Sequence, residues 1–89
     1  MKIDVYDSYA TARNGQRMHF DVLVTTDTAA AQAHQYGQQW LQSIGEPAHG
    51  LQQSHCQFCH TAAANPEVAR HIQQHGYFIL QMEGCPAPY

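Results

Sequence analysis

The segment His55-Cys56-Gln57-Phe58-Cys59-His60, with Cys85 further along the chain, holds the residue types best suited to chemistry. A Cys-x-x-Cys knuckle offers two thiolates at a spacing that tetrahedral Zn²⁺ accepts, and a closed structural site needs two more ligands. Cys85 is the candidate third ligand and His60 or His55 the fourth, which gives Cys56, Cys59, His60 and Cys85 as the expected set. The same pair suits thiol–disulfide exchange, since two neighbouring thiols can cycle between dithiol and disulfide. Sites of the thioredoxin kind, however, seat the first Cys at the start of a helix, and here the next helix cap, Asn65, lies well beyond Cys59. Cys56 to His60 also matches the Cys-x-x-Cys-His of haem attachment, with Met82 as distal ligand, but that chemistry requires export. The plain alternative is packing. Cys is among the most buried residue types, and a pair flanking Phe58 can sit beneath a loop as small hydrophobes.

The bulk of the chain sets the context for these residues. Its 89 residues suit one domain, 1–89, with residues 85–89 read as a flexible tail. Apolar residues make up 44%, enough for a modest core, and disorder is not expected. Only four Lys and Arg are present and the formal charge is −3, which argues against nucleic acid and against anionic lipid. The opening Met1-Lys2-Ile3-Asp4-Val5 alternates like a strand and carries an acid where an export signal would be apolar. A cytoplasmic setting with reduced thiols follows, and three Cys there point to metal or catalysis before a disulfide framework.

Strands and helices alternate along the sequence. Residues 2–10 alternate, with Ile3, Val5, Asp7 and Tyr9 in one phase, and residues 16–25 alternate again with Met18, Phe20, Val22 and Val24 in phase. Asn14-Gly15 between them is a strong hairpin signal. A two-residue loop there sets Tyr9 opposite Phe20, Asp7 opposite Val22 and Val5 opposite Val24, with both apolar phases on one face. Asp27 or Thr28 is the expected cap of a helix running to about Ile44, with Ala33, Tyr36, Gly37, Trp40, Leu41 and Ile44 on one stripe. Gly45 and Pro47 end it. A short strand spans residues 51–56. Asn65-Pro66-Glu67 then opens a second helix with Val68 and Ile72 inward, which stops at Gly76. The run Tyr77-Phe78-Ile79-Leu80-Gln81-Met82 suits a central strand. The order ββαβαβ predicts an α+β two-layer sandwich: a four-stranded mixed sheet with both helices on one face.

That topology also brings the cysteines together on paper. A strand–helix–strand unit usually sets its strands parallel when they share a sheet. Cys56 and Cys59 then end one strand and Cys85 the next, on the same rim and beside the N-terminus of the second helix.

Several segments, taken together, resemble a known family. They are Val5-Tyr6-Asp7-Ser8-Tyr9, Met18-His19-Phe20-Asp21-Val22, Trp40-Leu41-Gln42-Ser43-Ile44-Gly45, Cys56-Gln57-Phe58-Cys59-His60, Gly76-Tyr77-Phe78 and Met82-Glu83-Gly84-Cys85. The family is DUF2024, small bacterial proteins known mainly from structural genomics, and the resemblance covers essentially the whole chain. It implies a compact α+β fold and no particular activity.

Three more residues bear on function. His19 and Asp21 lie two apart on a strand and share a face, where the carboxylate can orient the imidazole, with Tyr6 and Ser8 opposite them in the register above. Asp7 interrupts the apolar phase of Ile3, Val5 and Tyr9, so it needs a hydrogen-bonding partner, a raised pKa or a place at the sheet's wet rim. No nucleophile elbow, phosphate loop or paired-carboxylate motif accompanies them. The leading expectation is a small cytosolic accessory or binding domain with Zn²⁺ at Cys56, Cys59, His60 and Cys85 and an unknown protein partner. The runner-up is a thiol–disulfide protein using Cys56 and Cys59; an interaction module without metal or catalysis is the third reading.

Overall fold

The computed structural model describes residues 2–56 and 65–85. Two long strands, β1 (Ile3–Thr11) and β2 (Arg17–Thr25), form the centre of the fold. Helix α1 (Ala30–Ser43) follows, then β3 (Gln52–Cys56), α2 (Pro66–His75) and β4 (Phe78–Gln81). This is the expected α+β class and the expected ββαβαβ order. The sheet order is β3-β1-β2-β4.

Three features of the arrangement differ from the sequence reading. Every pairing is antiparallel, so the sheet is not mixed. The helices lie on opposite faces. Tyr6, Phe20, Val22 and Val24 pack with Ala33, Trp40 and Leu41 of α1, whereas Val5 and Leu23 pack with Ile72 of α2. Adjacent strand residues point to opposite faces, so these are two cores separated by the sheet. Finally, β4 is an edge strand. Its unbroken apolar run reflects cover on both faces, with Ile79 against the α1 core and Phe78 against the α2 core, and not a central position.

The hairpin explains the face assignment. The loop has three residues, Arg13-Asn14-Gly15, closed by Gly15 N–H to Ala12 O and Ala12 N–H to Gln16 O. Gly15 takes the left-handed conformation, φ 88°, that this bulged loop requires, and Asn14 Oδ1 accepts from Gln16 N–H. One residue more in the loop slips the register by one, so Tyr9 faces His19, Asp7 faces Asp21 and Val5 faces Leu23. Such a slip turns one strand's side chains over relative to the other's.

The helix ends mostly follow their sequence signals. Asn65 caps α2 through Val68 N–H, and Gly76 ends it at φ 89°. After α1, Glu46 N–H reaches Leu41 O and Gly45 N–H reaches Gln42 O, a Schellman closure. The start of α1 differs: its N-cap is Ala29, with no side-chain cap, because Asp27 and Thr28 both bond to Thr25 Oγ1 and shape the preceding turn instead.

Beyond β4, residues Met82–Cys85 turn back along the start of β2. Cys85, expected in a mobile tail, is buried: its N–H bonds Met82 O and its thiol bonds His19 O. Gly84 makes that turn at φ 77°, and a Cβ there would collide with the Arg17 carbonyl oxygen. Gly84→Ala is therefore expected to lower stability by about 2 kcal/mol or more, read by urea unfolding, since it adds left-handed strain to a backbone clash.

Candidate functional site

Strand β1 carries the tripeptide Asp-x-Tyr twice, as Asp4-Val5-Tyr6 and Asp7-Ser8-Tyr9. The offset of three residues sends the two copies to opposite faces. Each does the same thing there. His19, opposite Tyr9 on β2, stacks on that ring with centroids 4.4 Å apart, and its Nε2–H donates to Asp7 Oδ1 at 2.6 Å. His55, opposite Tyr6 on β3, stacks at 4.4 Å and donates to Asp4 Oδ2 at 3.0 Å. The central strand thus holds one oriented imidazole on each side of the sheet.

The α2 face adds a second carboxylate. Asp21 lies directly opposite Asp7, is only 4% exposed, and has an oxygen 4.0 Å from His19 Nε2. Donor atoms of Asp7, His19 and Asp21 all lie within 4.8 Å of one another. Two carboxyl groups facing each other across an antiparallel pair can bond only while one of them holds a proton, and a bound cation can take that proton's place. Around the group, α2 covers the end of the face near Val5 and Leu23. The other end holds Tyr9 with the Arg17 guanidinium over its ring at 4.5 Å.

Backbone bonds fix His19 from the opposite side. Its N–H donates to Glu83 O, and its carbonyl accepts from Met82 N–H and from the Cys85 thiol. Burial pushes the Cys85 thiol above its ordinary pKa, so it acts here as a neutral donor. The other cysteines stand elsewhere. Cys56 ends β3 opposite Val5, while Cys59 and His60 lie outside the described residues. Adjacent parallel strands would carry Cys85 to the Cys56 rim; instead β3 and β4 run antiparallel to each other at opposite edges, with β1 and β2 between them. That route to a shared rim is absent.

The family model for DUF2024, a domain of unknown function, matches residues 1–82. The chain belongs to the DUF2024 family. It is also similar to protein NE1680 from Nitrosomonas europaea, whose NMR structure is 38% identical in sequence and superposes with a TM-score of 0.71, over 97% of this chain and 100% of that one. No curated protein matches the chain. Among the described residues of the DUF2024 domain, no helix is long and apolar enough to cross a membrane.

Asp7 in the DUF2024 domain has the hydrogen-bonding partner that its position demanded. The His19 bond holds its carboxyl below the usual carboxylate range, partial burial works against that, and a bond with Asp21 adds to it. A carboxyl whose folded pKa is depressed stabilises the fold above its unfolded value and loses that contribution as pH falls through the folded one. Asp7→Asn is therefore expected to flatten the loss of stability below about pH 4 in an acid titration followed by circular dichroism. The effect should stay under about 1 kcal/mol, because the Asp7 side chain is 42% exposed and water screens the pair.

His19 and Asp21 share a face, as their spacing indicates. Tyr6 and Ser8 do not join them: both lie on the α1 face, and the register brings Asp7 and Tyr9 instead. The repeated Asp-x-Tyr was the sequence signal that would have found both imidazole sites.

Proposed function

We propose that this protein is a small metal-binding domain whose ion, a divalent transition metal, is held by Asp7, His19 and Asp21. The observation that carries the reading is the mutual 4.8 Å approach of one imidazole nitrogen and two carboxylate oxygens supplied by neighbouring strands. Two ligands about 2.1 Å from a tetrahedral ion stand about 3.4 Å apart. The distances from His19 Nε2 to Asp7 and Asp21, 2.6 Å and 4.0 Å, bracket that separation, so small side-chain movements suffice. One nitrogen and two oxygens suit Zn²⁺, Mn²⁺ or Fe²⁺, and three protein ligands leave positions open for water or a further ligand. The ion also neutralises the facing carboxylates. Ligation through Nε2 takes the neutral imidazole in its other tautomer, with the hydrogen that Nε2 now directs at Asp7 carried on Nδ1 instead.

Calorimetric titration of Zn²⁺ into the wild-type chain, Asp21→Asn and Cys56→Ser tests this. The expected result is one saturable site that Asp21→Asn loses and Cys56→Ser keeps. The opposite pattern would move the ion to Cys56, Cys59 and His60.

A further inference from the structure

We infer that β4 pairs antiparallel with the β4 of a second copy of this chain, about a two-fold axis at Ile79, to form a weak homodimer. Strand β4 joins the sheet through β2 alone, so one of its edges has no strand beside it among the described residues. A trough of about 350 Å³ follows that edge, lined by residues 77–81, by Trp40 of α1 and by His71 of α2. The two helices lie on opposite faces of the sheet. Space that touches both helices and five successive residues of the edge strand passes along the strand's outer side.

The bonding phase of β4 follows from one contact. Met82 N–H donates to His19 O, so residue 82 directs its main chain at β2. Main-chain direction alternates along a strand, so Leu80 and Phe78 also face β2, whereas Ile79 and Tyr77 face outward. The Tyr77 carbonyl agrees, since it accepts from His71 Nδ1–H at 2.7 Å, off the sheet. Ile79 is the next outward residue, and it offers both an N–H and a C=O.

The partner that matches such an edge is another strand. A second copy matches the side chains as well. When two Ile79 residues exchange both bonds across a two-fold axis, Phe78 of each copy stands opposite Leu80 of the other, on one face. Leu80 is 42% exposed, the one large hydrophobic exposed among the described residues, and this register covers it. No charged residue lies between Tyr77 and Met82, so two copies of the same negative sign meet here without like charges in register. The other edge strand differs: β3 is polar at every position before Cys56. Two main-chain bonds and two Leu80–Phe78 contacts make a small interface, which corresponds to a Kd of about 0.1–1 mM. The pairing uses none of the Asp7, His19 and Asp21 side chains.

The test is sedimentation equilibrium of the full chain from about 20 µM to about 2 mM, with amide hydrogen exchange read by NMR at both ends of that range. The average mass should rise from one chain toward two. Exchange at Ile79 should slow several-fold on concentration, while the Leu80 amide, bonded to β2, stays protected throughout. Leu80→Lys, at an exposed position, should keep the folded spectrum and remain monomeric; Leu80→Met should dimerise as the parent does. A parent that stays monomeric throughout would overturn the inference and leave the edge to a foreign strand. An Ile79 amide already protected in the dilute monomer would also overturn it, by assigning the edge to the chain's own residues. So would a dimer that folded Leu80→Lys keeps, or one in which Ile79 stays unprotected.

Discussion

Phe20→Ala is expected to lower the stability of the fold by about 3–5 kcal/mol, the usual cost of emptying a fully buried aromatic position. Phe20 is 0% exposed, sits in the middle of β2, and packs its ring against Trp40 at a centroid distance of 4.7 Å. Around it are Met18, Val22 and Leu41, each almost wholly buried, so little nearby can collapse into the space. A domain of this size holds only a few kcal/mol in total, so the variant should be largely unfolded under conditions where the parent is folded. Urea unfolding followed by Trp40 fluorescence is the direct check. The midpoint should fall steeply with little change in slope, and a midpoint close to the parent's would show that the α1 core is not arranged around this ring.

The second large effect is on metal affinity. Asp21→Asn is expected to weaken divalent-metal binding about 100-fold or more, with a change of no more than about 1 kcal/mol in the stability of the metal-free chain. Removing one of three protein ligands forfeits a metal–oxygen bond and a full charge, and the amide is a poor replacement for a carboxylate. The metal-free chain responds differently. The substitution keeps the shape of the side chain, and the amide N–H can still donate to the facing Asp7 carboxylate across β1 and β2. A ligand role therefore separates from a structural role: a variant that unfolds, or one that binds as the parent does, contradicts it. Melting temperature with and without Zn²⁺ reads both quantities in one experiment, because an ion that binds only the folded state raises it by mass action.

The class of the fold and the order of its elements were legible because they rest on local signals. Asn65-Pro66-Glu67 and Gly76 bracket α2, and Gly45 closes α1, since each residue type has a backbone conformation or a capping bond that few others supply. What escaped was set by longer-range geometry. Asn14-Gly15 announces a hairpin, yet the same dipeptide serves two-residue and three-residue loops, and the choice decides which side chains share a face. With the shorter loop Asp7 looks like an intruder among core residues; with the longer one it meets His19 and Asp21. The cysteine reading leaned on the habit of strand–helix–strand units to run parallel and adjacent. Here α2 belongs to a connection from one edge of the sheet to the other, and no local pattern near Cys56 or Cys85 records that.

The most direct test of the metal reading is the position of a paramagnetic ion. Mn²⁺ added in small amounts to ¹⁵N-labelled protein broadens the amides nearest to it, and oxygen and imidazole ligands suit it well. The account predicts saturable broadening centred on residues 7, 19 and 21, reversed by chelator and lost in Asp21→Asn. Broadening centred elsewhere on the chain, or none that saturates, would contradict it.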